Sequence, residues 1–484
     1  MKPERNISIN RADSLTIKLL VLLPVLMIGL TYFISTFGNK AGYVLILGTI
    51  AIVVLAATLL FPEFGFYFSI AFSFFMFDIL RFTRASLPLG AFVDLHFYLV
   101  FLGVVIRKIL IREPFWKNCY HPLVFIYIIV LLYSVIQNFN PLGAPWSITL
   151  PFFKRLITFM LYFYCCIQFF ETKKDIMRFL KFFFALMLIA GLYGCYQEWF
   201  GYPAYEMRHI MSSRLTEGLL SLGGGKYRKF SFLSSPTDFG ILMSAGAIML
   251  LAYIMNTRMK LVKRLFLLGA VAVLLLSMSY SGTRTATMMF VLEALLYVMM
   301  TLNNKKTLAF AAAFTALFIF IIYGPIHGNT TVNRLRSTFD LSSDESYKVR
   351  DINRHSVQPF IASHPLGGGL ATSGFNSGDY VPNHPLANFP PDSGLLKNAI
   401  EYGWLGLLLL YITYIAVLQQ GIHAYYRSND PRNKILFLGV VLALFGYMVA
   451  QYAQIAIGMI PGVFLVYALI AIIIRLRQIE LNSK

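Results

Sequence analysis

The chain is 484 residues long, 58% hydrophobic and only 13% charged, with a mean hydropathy of +0.67. Soluble domains carry roughly twice that charged fraction, so a soluble enzyme, a disordered chain and a nucleic-acid module are excluded. The net charge of +19 reads as topology, because Lys and Arg collect in the cytoplasmic loops of membrane proteins.

A basic, polar N-terminus runs into an apolar span with no small-residue cleavage site after it, so a retained first helix is expected rather than a cleaved signal peptide. Stretches long enough to cross about 30 Å of hydrocarbon recur fourteen times along the chain. They lie near 17–35, 41–60, 64–80, 90–106, 122–138, 152–170, 177–198, 237–256, 265–281, 285–301, 307–323, 396–419, 435–454 and 457–474. The runs are continuous and do not alternate, which makes them helices and not strands. No repeat of fixed period appears. The expected architecture is one all-α polytopic domain over 1–484. Cys119, Cys165, Cys166 and Cys195 show no metal spacing and read as small buried hydrophobes.

With the N-terminus inside, the cytoplasmic segments are 1–18, 107–121, 171–181, 257–264, 302–306, 420–434 and 475–484. They hold 24 of the 41 Lys and Arg, as the positive-inside rule asks, and the C-terminus is inside too. Twelve of the remaining seventeen cations cluster in or beside the outer loop 199–236, Arg284 and the outer loop 324–395. Topology does not need them there. Clustered cations on the outer face suggest an anionic ligand, with phosphate the natural one. The competing explanation is that long loops translocate whatever their charge.

The loop 324–395 is long enough to be functional or disordered, and its aromatic residues argue for order. Val349, Ile352, Val357 and Phe360 recur at helical spacing, so a helix is expected over 345–362, capped by Ser343 or Asp344.

Four segments carry candidate chemistry. Ser281 to Ala286 reads Ser-Gly-Thr-Arg-Thr-Ala and places Arg284 at a membrane surface with almost no loop around it. Such an arginine either pairs with an anion or snorkels from a helix end. Arg228 to Pro236 follows Gly223-Gly224-Gly225 and is either a ligand segment or an interfacial belt. Arg350 precedes His364-Pro365-Leu366-Gly367-Gly368-Gly369, whose glycines permit a φ > 0 turn. No Lys-Ser/Thr follows, so this is not a phosphate loop. Asp392 to Gly406 opens the twelfth span after Pro390-Pro391, and Asp392 or Ser393 reads as its N-cap. Within or beside spans, Asp78 with Arg81, Asp94 and Glu293 are either functional carboxylates or partners in structural pairs.

The order of these segments resembles the O-antigen ligase and Wzy-type polymerase superfamily of bacterial inner membranes. The resemblance covers about 228–410. It rests on an Arg-x-Phe-x-x-x-Ser-Pro segment and a Ser-x-x-Arg-x-Ala junction. A long outer loop with an arginine and a Pro-Leu-Gly-x-Gly turn follows, and then Glu-x-Gly. The resemblance implies a GT-C-like helical fold and a metal-independent, cofactor-free glycosyltransferase. Its substrate would be an undecaprenyl-pyrophosphate-linked glycan, with a chain-length co-polymerase as a possible partner. Arg284 and Arg350 take the places of the pyrophosphate-holding arginines, with Arg228 as a third. The ligases carry His-Asn where this chain has Asp392-Ser393, so Asp392 becomes the expected base and a polymerase of surface polysaccharide the expected activity. An N-cap carboxylate is a weakened base, which keeps His384 and His364 as alternative bases. A ligase acting on lipid A-core is the nearest rival reading, and a lipid-linked glycan flippase the next.

Overall fold

The computed structural model describes residues 27–29, 31–36, 38–83, 88–325, 332–333, 336 and 345–482. Most of the first expected span, Arg334, and the expected caps Ser343 and Asp344 lie outside the described residues.

The helices of the first half are α1 (Asn39–Leu60), α2 (Pro62–Thr83), α3 (Leu89–Leu110), α4 (Pro122–Ile136), α5 (Trp146–Phe169) and α6 (Lys173–Trp199). A surface segment follows, with α7 (Ala204–Ile210), α8 (Arg214–Leu220) and a two-stranded hairpin of β1 (Ser221–Gly223) and β2 (Lys226–Tyr227). The second half holds α9 (Pro236–Asn256), α10 (Leu261–Tyr280), α11 (Arg284–Met300) and α12 (Lys305–Tyr323). It ends with α13 (Glu345–Ser363), α14 (Gly394–Arg427), α15 (Pro431–Ala453) and α16 (Gly462–Asn482). Among the described residues, eleven helices are long and apolar enough to cross a membrane. The chain is an all-α, multi-pass membrane protein. The hairpin is the one sheet among the described residues. It is closed by the three glycines 223–225, whose φ angles are 84°, 59° and 74°.

The centre of the bundle is built from α9, α15 and α16. Every residue from Asp238 to Met249 and from Pro461 to Leu476 is buried. Both segments are apolar on all sides, and a helix of that kind takes the middle of the structure. Small residues allow close approach there: a side chain at Gly246 would run into Met187, and one at Gly194 into Phe239. The four cysteines are buried free thiols, as expected.

Two boundaries differ from expectation. The twelfth span, expected at 396–419, is α14 and extends to Arg427. It breaks at Gly403, where φ is 72°. The last span begins at Gly462 instead of 457, because residues 454–461 form a separate turn ending in Pro461. At its far end, Arg475 and Glu480 belong to the helix and not to a tail. Arg475 is buried and donates to the Phe170 carbonyl at 3.1 Å, and Glu480 accepts from Ser428 at 2.9 Å.

The other weighed carboxylates have structural partners. Asp94 pairs with Lys154 at 3.0 Å, and Glu293 accepts from Ser244 at 3.0 Å. Asp78 accepts from Tyr205 at 3.1 Å. Arg81 turns from Asp78 to the carbonyls of Ser231, Leu233 and Ser234 and lies over the Phe230 ring.

Candidate functional site

The α9 N-terminus, the α10–α11 turn, α13 and the start of α14 meet at one end of the bundle. The α10–α11 turn is held from both sides. Gly282 has φ 59°, and Ser281 and Ala286 pack so tightly on α9 that a side chain at Gly240 would collide with Ser281. Thr283 Oγ1 donates to the Pro236 carbonyl at 3.0 Å. The Ser and Ala of this motif are therefore packing positions that seat Arg284 as the first residue of α11. No side chain caps that helix, so its positive end adds to the Arg284 charge.

Arg228 is committed to the same turn. Its Nε donates to the Ser281 carbonyl at 3.1 Å, Nη2 to Thr283 Oγ1 at 2.9 Å and Nη1 to the Leu219 carbonyl at 3.4 Å. The neighbouring Lys229 N–H donates to the Tyr280 carbonyl at 3.1 Å. The fork geometry of a guanidinium suits this clamp. Expected as a third phosphate ligand, Arg228 instead sits in the geometry of a positioning residue for Arg284.

The helix expected over 345–362 is present as α13. Val357 and Phe360 pack against Leu386, Phe389, Leu396 and Ile400, a small core that lays α13 along the start of α14. This brings Arg350 Nε and Arg354 Nη2 each to 3.8 Å from Asp392 Oδ2. Arg354 also donates to the Tyr452 carbonyl at 3.1 Å and stacks on that ring at 4.5 Å. Sequence reading did not single out Arg354. Its spacing of four from Arg350 on a helix was the available signal, since residues i and i+4 share a face. Arg284 and Arg350 lie close enough to repel each other's charge.

The carboxylate of Asp392 is mostly buried. Neither oxygen accepts a hydrogen bond among the described residues. Its arginines stand well beyond the roughly 2.7–2.9 Å of a tight charge-assisted pair. The cap of α14 is Ser393, whose Oγ accepts from Leu396 N at 3.1 Å. Of the two candidate caps, Ser393 takes the role and Asp392 stands one residue outside the helix.

The Gly-rich turn docks on the start of α14 through its backbone. Gly368 N donates to the Ile400 carbonyl at 2.8 Å, and Gly369 N to the Glu401 carbonyl at 3.0 Å. Leu405 N donates to the Pro365 carbonyl at 3.3 Å. The turn thus occupies backbone groups left open by the break in α14 at Gly403. Gly367 has φ 75° and Gly369 φ 88°, and at Gly367 and Gly403 the two backbones touch where no side chain fits. Glu401, fully inside, accepts from Ser373 Oγ at 2.6 Å. The Glu-x-Gly motif is the dock for the loop.

The two histidines flank Phe360. His384 Nδ1 accepts from Leu386 N at 3.0 Å. The neutral ring therefore carries its proton on Nε2, which is buried and without a hydrogen-bond partner. Burial holds this imidazole below its usual range. In this geometry His384 Nδ1 is already occupied as an acceptor. His364 is the opposite case. Its Nδ1 lies 2.9 Å from the Phe360 carbonyl, an acceptor, so Nδ1 carries the proton and Nε2 keeps its lone pair. Its ring stacks on Phe360 with centroids 4.1 Å apart.

Arg284, Arg350, His364, His384 and Asp392 all fall inside one stretch that is similar to a known family. Residues 269–411 match the family described as O-antigen ligase. The matched stretch runs from the middle of α10 to just past the break in α14, and it ends within a residue of the extent expected from the motifs. It begins beyond Arg228. The O-antigen ligase and Wzy-type resemblance is thus shown, and it supports a membrane glycan transferase of ligase or polymerase type. No curated protein matches the chain.

Proposed function

We propose that the chain is an inner-membrane transferase that polymerises undecaprenyl-pyrophosphate-linked repeat units of a surface polysaccharide, without a metal. Both termini face the cytoplasm and the Arg284–Asp392 end faces the periplasm. The basic segments at the other ends of the helices support this orientation. A chain-length co-polymerase is the partner that such a product calls for.

One observation carries the reading. Arg350 and Arg354 flank a carboxylate that accepts no hydrogen bond among the described residues, and the Arg350 charge reaches Arg284. In the transfer, the acceptor sugar hydroxyl gives its proton to the Asp392 carboxylate. Its oxygen bonds to the anomeric carbon of the donor sugar, and the bond from that carbon to the pyrophosphate oxygen breaks. The electron pair leaves on the pyrophosphate, whose growing charge falls to Arg284 and Arg350. Preplaced cations stabilise such charge without reorganising.

The test is the glycan profile of a deletion strain complemented with R284A or R350A. Accumulated single lipid-linked units, or acceptors carrying one unit, support polymerisation. Normal polymer from stably expressed variants overturns it.

The match to a family described as O-antigen ligase favours a second reading, transfer of finished glycan to lipid A-core, with His364 Nε2 as a base in the same loop. Long polymer stranded on its lipid carrier in the deletion strain is the result that would select it.

A further inference from the structure

A crevice opens between α5, α14 and the 454–461 turn, at the same end of the bundle as Asp392, and runs inward between α4 and α14. Its outer part, about 500 Å³, carries Arg155, Lys397 and Asn398 among apolar walls such as Phe152 and Phe159. Its inner part, about 180 Å³, is walled by Tyr127, Tyr133, Leu410, Tyr414 and Tyr467. Leu156, Asn398, Tyr402, Gln451 and Ile457 line both parts, so the two adjoin.

Three features give this space a chemistry. Its mouth is cationic: Lys397 lies over the Phe152 ring at 5.4 Å, and Arg155 is exposed beside it. Neither has a carboxylate within 4 Å among the described residues, although the Lys397 charge acts on Glu401, which lines the same part; the adjacent Lys154 is paired with Asp94. Next, Asn398 Oδ1 is buried where the two parts join, with no hydrogen-bond partner. An orphaned buried acceptor asks for a donor from a ligand or a water. Last, the inner part is apolar and narrow. Cations at the rim of an apolar slot within the membrane suit an anionic head on an apolar tail, and the narrow inner part suits one chain better than two.

We propose that this crevice holds a single-chain lipid phosphate. The phosphate sits on Arg155 and Lys397. The first units of the chain pass Tyr402 and Tyr133, and a headgroup hydroxyl donates to Asn398 Oδ1. Lys397 lies in the first turn of the helix that Asp392 precedes, so a sugar carried by this lipid stands within about a turn of that carboxylate. On the transfer reading above, this lipid is the acceptor, and the Arg284 and Arg350 cluster is left to the donor. The occupant committed to is a polyprenyl phosphate, the single-chain carrier that reading supplies.

The probe is a polyprenyl monophosphate with a diazirine in its first isoprene unit, added to the full-length protein in nanodiscs. Photolabels are expected on the segments around Tyr133, Leu156 and Tyr402. R155A with K397A together should cut that labelling at least tenfold. Leu410→Trp, which fills the inner part, should do the same with both cations intact. R155K with K397R should retain it, which keeps the test open if the alanine pair does not fold. Excess phosphatidylglycerol should not compete. Labelling that survives loss of both cations, competition by phosphatidylglycerol, or labels confined to the Arg284 cluster would each overturn the site. Its failure is separable from failure of the transfer reading. Normal polymer from R284A and R350A cells, with crevice labelling intact, would refute the transfer chemistry and leave the lipid site standing.

Discussion

Arg228 separates two kinds of arginine that sequence alone treats as equals. If it holds the α10–α11 turn, its geometry matters; if it holds pyrophosphate, its charge matters. Two of its hydrogen bonds have normal lengths, 3.1 Å to Ser281 and 2.9 Å to Thr283, and the third is long at 3.4 Å. A hydrogen bond from a charged group contributes about 1.5–3 kcal/mol. Arg228 is half-buried, so the lower end applies, and the two good bonds together are worth about 3 kcal/mol. At about 1.4 kcal/mol per tenfold, losing them misplaces Arg284 at a cost on the order of 100-fold in transfer. R228K keeps the charge but cannot span Ser281 and Thr283 at once. It should therefore be nearly as impaired as R228A. Hydrogen exchange at amides 280–288 should rise in both variants. T283V should still add a loss in the R228A background, because it also removes the donation from Thr283 to the Pro236 carbonyl. The assay is polymer yield in complemented cells, read beside exchange on the purified protein. Normal yield and unchanged exchange in R228K, with a weakened apparent affinity for the lipid-linked donor, would refute the clamp and make Arg228 a phosphate ligand.

Gly403→Ala should destabilise the junction of loop and α14 by more than the roughly 1–2 kcal/mol of left-handed strain, because its side chain also meets the Pro365 and Gly367 backbone; a thermal midpoint equal to wild type would contradict the docking. Asp392→Asn should abolish polymer while leaving the thermal midpoint within a few degrees, since neither oxygen accepts a hydrogen bond; retained activity would remove Asp392 as the base. Arg354→Met keeps the packing on Tyr452 but loses the cation, and should lower transfer more than stability; equal losses in both would make Arg354 purely structural. The surface segment should respond to pH through Glu206, which accepts from Gln197 and Tyr193 at 2.9 and 3.1 Å and faces Asp78, Arg81 and Tyr205. Burial pushes its carboxyl from 4.5 up to about 7. The folded form thus holds the proton more tightly than the unfolded chain, so the contribution is full below 4.5 and is lost as pH rises through 7. Exchange across 200–235, corrected for intrinsic rate, should be faster at high pH, and Glu206→Gln should flatten the difference; a pH-independent profile in the wild type would count against it.

The spans were legible because lipid leaves few choices. A long apolar run must satisfy its own backbone hydrogen bonds, so it becomes a helix wherever it occurs. That logic located most of the spans between α2 and α16 to within a few residues. It erred where a proline or glycine changed the backbone locally, as at Pro461 and Gly403. The helix α13 was legible because Val357 and Phe360 keep helical spacing in a polar loop. Arg284 and Arg350 stood out as cations placed where topology did not need them, and Asp392 stood out only through the resemblance.

What each of those residues touches was decided by the tertiary structure. Gly367 and Gly369 read as a φ > 0 turn; the fold sets Gly367 against Gly403 and Gly369 against Gly143. Arg228 looked like Arg284, yet its partners are carbonyls and a hydroxyl fifty residues away. Ser393 took the cap and left Asp392 outside the helix, and Arg354 entered the site through a turn of α13. His384 and His364 are the same side chain with opposite tautomers, set by whether Nδ1 meets an N–H or a carbonyl. Hydropathy is a property of a segment, and so it survives without the fold. A hydrogen-bond partner is a property of two segments brought together, and only packing brings them together.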